Sequence, residues 1–266
     1  MKKFNGLSLF ASAGIAEMNL GKCGINFKVA NELIPIRAKT HEAWHPKCKM
    51  ICGDITNDSV KEEIVSSSLK AHVDFVLATP PCQGVSLIGK NKTNDEMLGD
   101  QRNFLIFHAF EIIDKLEPKV VIIENVDRFL TMKFPYDGGL YNIEYIVRKK
   151  YGSAYNININ VYNAQDYGVP QSRKRLVIVM YNNQYVFNQP KKQKIITVRE
   201  AIGDLPSLES GQKSNLKNHN ARTHTPAHIE CMMHTPSGHS AFENKIYYPK
   251  RIIPVKCCYP YFSDTD

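Results

Sequence analysis

Through the first two thirds of the chain, short β-branched runs alternate with stretches carrying apolar residues at helical spacing, and no other feature constrains the fold as tightly. Gly6–Phe10 reads as a strand, with a helix expected from about Ala16. Phe27–Glu32 reads as a second strand before a helix around Arg37–Trp44, and Lys49–Ile51 as a third before a helix over Val60–Leu69. Phe75–Thr79 is a fourth strand stopped by Pro80-Pro81, Phe104–Leu116 is helical, and Val120–Ile123 is an almost pure apolar run. Asn156–Tyr162 and Leu176–Met180 complete the series. Strands apolar on both faces, separated by helices, predict an α/β fold with a mainly parallel sheet covered by helices on both faces. Such sheets bind ligands beyond the carboxyl ends of their strands. Glu32, Asp54, Cys82 and Glu124 each fall at or just past a strand end.

Composition narrows the class. With 266 residues, 43% hydrophobic and 23% charged, the chain can bury a core and is neither disordered nor collagen-like. No apolar run reaches the roughly 20 residues of a membrane helix, and the start lacks the apolar core of a signal peptide, breaking at Ser12 and Gly14. A cytoplasmic location with no membrane partner is expected. The net charge of +8 suits a polyanionic partner, since phosphate contacts release counterions. Seven cysteines form no disulfide framework and read as reduced thiols. After about Tyr181 the apolar periodicity fades, and five of the nine histidines fall between Gln212 and His239. This divides the chain near residue 185, into 1–185 and 186–266.

Three motifs carry chemistry. Pro80-Pro81-Cys82-Gln83-Gly84-Val85-Ser86 holds a thiol at the mouth of the sheet, where it can act as a thiolate nucleophile. Glu124-Asn125-Val126 ends the most hydrophobic strand, so a carboxyl group is expected to emerge from an apolar wall, with its pKa raised so that it can donate a proton. Gln171-Ser172-Arg173-Lys174-Arg175 precedes the last strand; if extended, it points Gln171, Arg173 and Arg175 to one side.

In this order the motifs resemble the bacterial cytosine-5 DNA methyltransferases, which use S-adenosylmethionine. Phe10-Ala11-Ser12-Ala13-Gly14 is similar to the family's opening motif, and Asp100-Gln101-Arg102 with Leu105 to its Asp-x-Arg-x-x-Leu helix start. The resemblance implies a Rossmann-like methyltransferase fold and transfer of a methyl group to carbon 5 of a flipped cytosine in double-stranded DNA, with S-adenosylhomocysteine as by-product and no metal. It makes Cys82 the nucleophile on carbon 6 and Glu124 the group on ring nitrogen 3, with Arg173 and Arg175 holding the base and the cysteine loop. Gln83, Gly84, Ser86 and Gln171 are implied to face DNA. For the cofactor it implies Phe10 on the adenine side, Ser12, Ala13 and Gly14 near the methionine part and Glu32 on the ribose. The resemblance also places Asp54 and Ile55 at the adenine edge and Leu33, Pro81 and Leu105 along the pocket, and it makes 1–185 the catalytic domain and 186–266 a connector with the start of an incomplete target-recognition region.

The match departs from the pattern in two places. Ser12 stands where the family has glycine, adding a side chain where the backbone approaches the ligand. The family's last two motifs, beyond its recognition region, have no counterpart here. Two expectations compete: a split enzyme whose second subunit carries recognition and the final motifs, or a truncated chain. The tRNA-methylating branch of the family and a non-catalytic cofactor- or DNA-binding subunit are the alternatives for function; the former's Cys-Phe-Thr motif is absent. His224, His228, Cys231 and His234 have intervals compatible with zinc, yet the segment also resembles the family's ordinary connector, and no metal is expected.

Overall fold

A computed structural model describes residues 3–81, 104–236 and 239. Strand β1 (Phe4–Leu9) leads through a turn and a 3-10 helix (Leu20–Cys23) into β2 (Ile25–Glu32). Then follow α1 (Pro35–Trp44), β3 (Lys49–Cys52), α2 (Asp58–Lys70) and β4 (Phe75–Ala78). Beyond residue 103 come α3 (Leu105–Leu116), β5 (Val120–Asn125), a hairpin of β6 (Lys133–Tyr136) and β7 (Gly139–Asn142), α4 (Ile143–Tyr151), β8 (Asn156–Asn163) and β9 (Lys174–Tyr181). Two short helices follow, α5 (Val198–Ile202) and α6 (Pro226–Met233).

Seven strands form one sheet in the order β3-β2-β1-β4-β5-β9-β8. The first five are mutually parallel, and β9 runs antiparallel to β5. The apolar runs go where their composition directs them. All four residues of β4 and the last four of β1 and of β2 are buried. Leu7, Leu9, Val76, Val121 and Ile123 meet Ile106, Ala109, Phe110 and Ile113 of α3 and Ile143, Ile146 and Val147 of α4 in one core. At about 25 cal/mol per Å² of apolar surface, this burial is the main source of stability.

Register is what positions the site. Leu9 pairs with Asn31 and with Ala78, and Ala78 pairs with Ile123. One step further along each strand stand Phe10, Glu32, Thr79 and Glu124, so a single row crosses the carboxyl edge of the sheet.

Two elements differ from expectation. No α-helix starts at Ala16; the segment is a series of turns ending in the 3-10 helix, closed by Gly24 at φ 86°. Gly21 and Gly24 leave too little chain for a stable helix, and Glu17 turns inward, 2% exposed, to accept the Ser8 hydroxyl. The hairpin β6–β7 was not anticipated, although Asp137-Gly138 at φ 49° and 75° is the two-residue turn that favours antiparallel pairing.

The chain divides into two compact units, residues 1–162 with 174–190, and 163–173 with 191–266. The units interleave along the sequence, which no composition shift announces. Among the described residues, no helix is long and apolar enough to cross a membrane.

Candidate functional site

At the end of β1 the backbone takes an unusual course. Phe10, Ser12 and Gly14 have φ of 62°, 51° and 81°, the left-handed region that favours glycine. The Ala11 amide donates to the Asn31 carbonyl at 2.9 Å, and the Gly14 amide to the Ala11 carbonyl at 3.0 Å. Glu32 braces this turn: Oε2 accepts from the Ser12 amide and Oε1 from the Ile34 amide, both at 2.8 Å, while the side chain is buried. Behind it, buried Asn31 donates to the carbonyls of Ile51 and Gly53, each at 3.0 Å, tying β2 to the end of β3. The left-handed φ at residue 12 gives the physical reason why glycine suits that position; Ser12 adopts it at a cost of about 1 kcal/mol.

Other expected cofactor residues gather along the same edge. Asp54 is exposed and its Oδ1 accepts from the amide and hydroxyl of Thr56, both at 2.9 Å. Ile55 is buried, Phe10, Ala13, Pro81 and Leu105 are half-buried, and Leu33 is 58% exposed. An apolar side chain that open is available to a flat apolar ligand face.

The other end of the row is built differently. Glu124 Oε1 lies 2.9 Å from Arg175 Nε, with the side chains 35% and 25% exposed. The expected apolar wall around this carboxyl group is therefore absent: it is half-open and paired with a guanidinium, because β9 runs back beside β5 and brings Arg175 just beyond the Asn125–Leu176 pair. Asn125, which sequence reasoning passed over, is buried; its amide donates to the Pro80 carbonyl at 3.2 Å and its Oδ1 accepts from the Val126 amide at 2.8 Å. Its place inside the Glu-Asn-Val motif was the only available signal. Thr79 adds two contacts of 3.2 Å, from its amide to Leu9 and from its hydroxyl to Phe10. The stem leading to Cys82 is thus anchored on both sides. Cys82, Gln83, Gly84 and Ser86 lie outside the described residues.

The strand alignment of Gln171 and Arg173 with Arg175 is corrected. The strand begins at Lys174, so the alternation that was to align them with Arg175 does not extend back to them. They follow the 3-10 helix Ala164–Tyr167 and the left-handed Gly168, in the second compact unit. Arg173 is held there through its backbone, its amide donating to Asn163 Oδ1 at 2.8 Å and its carbonyl accepting from Ala164 at 3.0 Å. Gln171 is exposed, its amide donating to the Val169 carbonyl at 2.7 Å.

Known proteins resemble this chain over most of its length. A family model described as C-5 cytosine-specific DNA methylase covers residues 4–259. The type II methyltransferase M1.HgaI of Avibacterium volantium is 44% identical over 250 residues, a match spanning 94% of this chain and 70% of that protein. M.XorII of Xanthomonas oryzae is 31% identical over 211 residues, spanning 77% of this chain and 47% of its own length. Among solved structures, the Entamoeba histolytica methyltransferase EhMeth superposes with a TM-score of 0.60 at 16% identity, over 89% of this chain and 68% of that one, a likeness of fold.

Proposed function

The chain belongs to the C-5 cytosine-specific DNA methylase family, and we propose that it methylates carbon 5 of a flipped cytosine in double-stranded DNA as the modification arm of a restriction–modification system. The observation that carries this reading is the Glu124–Arg175 pair standing beside the Asn125-anchored stem of the Cys82 loop.

The cofactor edge fits S-adenosylmethionine. Each Glu32 oxygen uses one acceptor site on a backbone amide and keeps capacity for a ribose hydroxyl. Phe10, Leu33, Ile55, Pro81 and Leu105 supply apolar surface, and the Ser12-Ala13-Gly14 backbone supplies polar groups for the methionine end. When bound, the cofactor supplies an electrophilic methyl group.

The remaining work falls to the chain's own residues. Carbon 5 of cytosine is too weakly nucleophilic to react unaided. In this proposal the Cys82 thiolate forms a bond to carbon 6, and the electron pair of the 5,6 double bond becomes available at carbon 5. Glu124 hydrogen-bonds or protonates ring nitrogen 3 as negative charge develops there, and Arg175 fixes the carboxyl group in place. Once carbon 5 carries the methyl group, its proton leaves to a base, the double bond re-forms and the carbon 6–sulfur bond breaks, returning the thiolate. The target atom is buried in stacked DNA, so the base must first leave the helix; Gln83, Gly84, Ser86 and Gln171 are assigned to the DNA side.

Labelled methyl transfer to unmodified genomic DNA, with tRNA in parallel and nucleoside analysis of the product, tests the reading. Label is expected as 5-methylcytosine in DNA, and Cys82→Ala is expected to reduce it to background. Transfer by that variant at near the parental rate would sink the nucleophile assignment. A companion polypeptide that supplies recognition is the finer part of the proposal, and efficient transfer by this chain alone speaks against it.

A further inference from the structure

We propose that Glu17, His41 and His45 form a structural site for one zinc-class divalent cation, seated directly behind the Ser12–Gly14 turn. One ligand atom from each residue lies within 4.8 Å of the other two. Glu17 comes from the turns after β1, His41 from the last turn of α1 and His45 from the residue that caps that helix. The two histidines, four residues apart, share one end of α1, and Glu17 joins them from a separate segment.

The second observation is unmet hydrogen-bonding capacity. Glu17 is 2% exposed and His41 is 0% exposed, yet Glu17 Oε2 and both ring nitrogens of His41 have no hydrogen-bond partner. Buried polar groups are normally paired, and those that are not call for an explanation. Glu17 Oε1 and His41 Nε2 stand 3.7 Å apart, too far for a hydrogen bond. That spacing is close to the separation of about 3.3 Å between two ligands of a tetrahedral zinc with bonds of 2.0–2.1 Å. One cation between them would meet the carboxylate and the imidazole together.

The surroundings resemble the outer shell that holds metal ligands in place. The Ser8 hydroxyl donates to Glu17 Oε1, as ligating carboxylates are commonly supported. His45 Nε2 lies 2.8 Å from the Gly14 carbonyl. A carbonyl can only accept, so Nε2 carries the proton and Nδ1 keeps its lone pair, the tautomer of a metal-binding histidine tied back to the main chain. Two imidazoles and one carboxylate suit zinc; calcium and magnesium prefer all-oxygen sets. By contrast, among the described residues His224, His228, Cys231 and His234 form no such cluster.

The cation would act on the cofactor turn through His45. Both imidazoles press on Gly14: a Cβ built there would lie 2.5 Å from the His45 ring and 2.8 Å from the His41 ring. Fixing the rings fixes Gly14 at its left-handed φ. Metal loading is therefore expected to tighten binding of S-adenosylhomocysteine by about fivefold or more. This coupling rests on the cofactor assignment above; metal binding itself does not.

The test uses the purified chain, stripped with a chelator and titrated with zinc or cobalt. Wild-type protein is expected to retain one zinc per chain, to show the visible absorption of low-coordinate cobalt and to melt at higher temperature with zinc. His41→Gln and His45→Gln, checked for folding by circular dichroism, are each expected to lose the metal. No zinc uptake and no cobalt spectrum from the wild type would overturn the site without reference to any variant. Stoichiometric zinc in both folded variants would overturn it by placing the metal elsewhere. Unchanged S-adenosylhomocysteine affinity between stripped and loaded protein would overturn the coupling.

Discussion

The two ends of the carboxyl-edge row each present a glutamate, and the two glutamates have opposite surroundings. Glu32 is buried, with each oxygen engaged by a backbone amide. Glu124 is about one third exposed and has a side-chain partner, Arg175, on the neighbouring strand. The first carboxylate holds a strained turn in shape; the second faces outward beside the Cys82 stem with an oxygen to spare. A carboxylate at a strand end is thus not by itself a reactive group. What it touches decides whether it maintains the backbone or acts on a substrate.

Replacing each glutamate tests the contrast most strongly. Glu124→Gln removes the acidic proton and the charge while keeping the shape, and methyl transfer is expected to fall about 10²–10⁴-fold with the melting temperature nearly unchanged. An equal loss of stability would mean that Glu124 is structural too. Glu32→Ala should do the reverse. It leaves the Ser12 and Ile34 amides without their acceptor and is expected to cost about 3 kcal/mol in urea denaturation, together with weakened cofactor binding. Full stability in that variant would dissolve the distinction.

Around the Glu32 end the thiols differ among themselves. Cys48, packed with Ala11 and Ala30, has its thiol pushed from an ordinary 9.0 up to about 12, chiefly by burial and next by the nearby Glu17 carboxylate. Raising the folded-state pKa means that its contribution to stability is complete below about pH 9 and is lost as pH rises through about 12. At pH 8, alkylation followed by peptide mapping should label exposed Cys23 and Cys52 and spare Cys48. Rapid labelling of Cys48 would show that this end opens easily. The smallest effect is expected from Ser12→Gly, which relieves the left-handed φ and should stabilise the fold by about 0.5 kcal/mol net of the freedom glycine gains when unfolded. A clear destabilisation would show that the Ser12 side chain makes a contribution of its own.

What the sequence disclosed follows from which forces are local. β1 to β5 and α1 to α3 were legible because continuous apolar runs and helical spacing are written into neighbouring residues. The row of Phe10, Glu32 and Glu124 was legible because parallel strands of similar length end level. Glu17 was not: a glutamate in a glycine-containing turn looks solvated, and only tertiary packing brings Ser8 and His41 to it. Gln171 and Arg173 were aligned with Arg175 because a period of two was extended back from the strand over residues 171–173, where no strand exists. The apolar wall imagined around Glu124 failed for a related reason, since Arg175 approaches from a strand whose direction the sequence does not display.

That direction has a consequence for how the protein is made. β9 lies between β5 and β8, yet it is the last of the seven strands to be synthesised. On the ribosome, β5 emerges with one edge unpaired and waits until residues 174–181 follow, some fifty residues later. During that interval β5 offers its amides and carbonyls to any other extended chain, the situation in which large domains aggregate. Glu124 and Arg175 come together only when that edge is closed, so their ion pair forms in the step that ends the hazard.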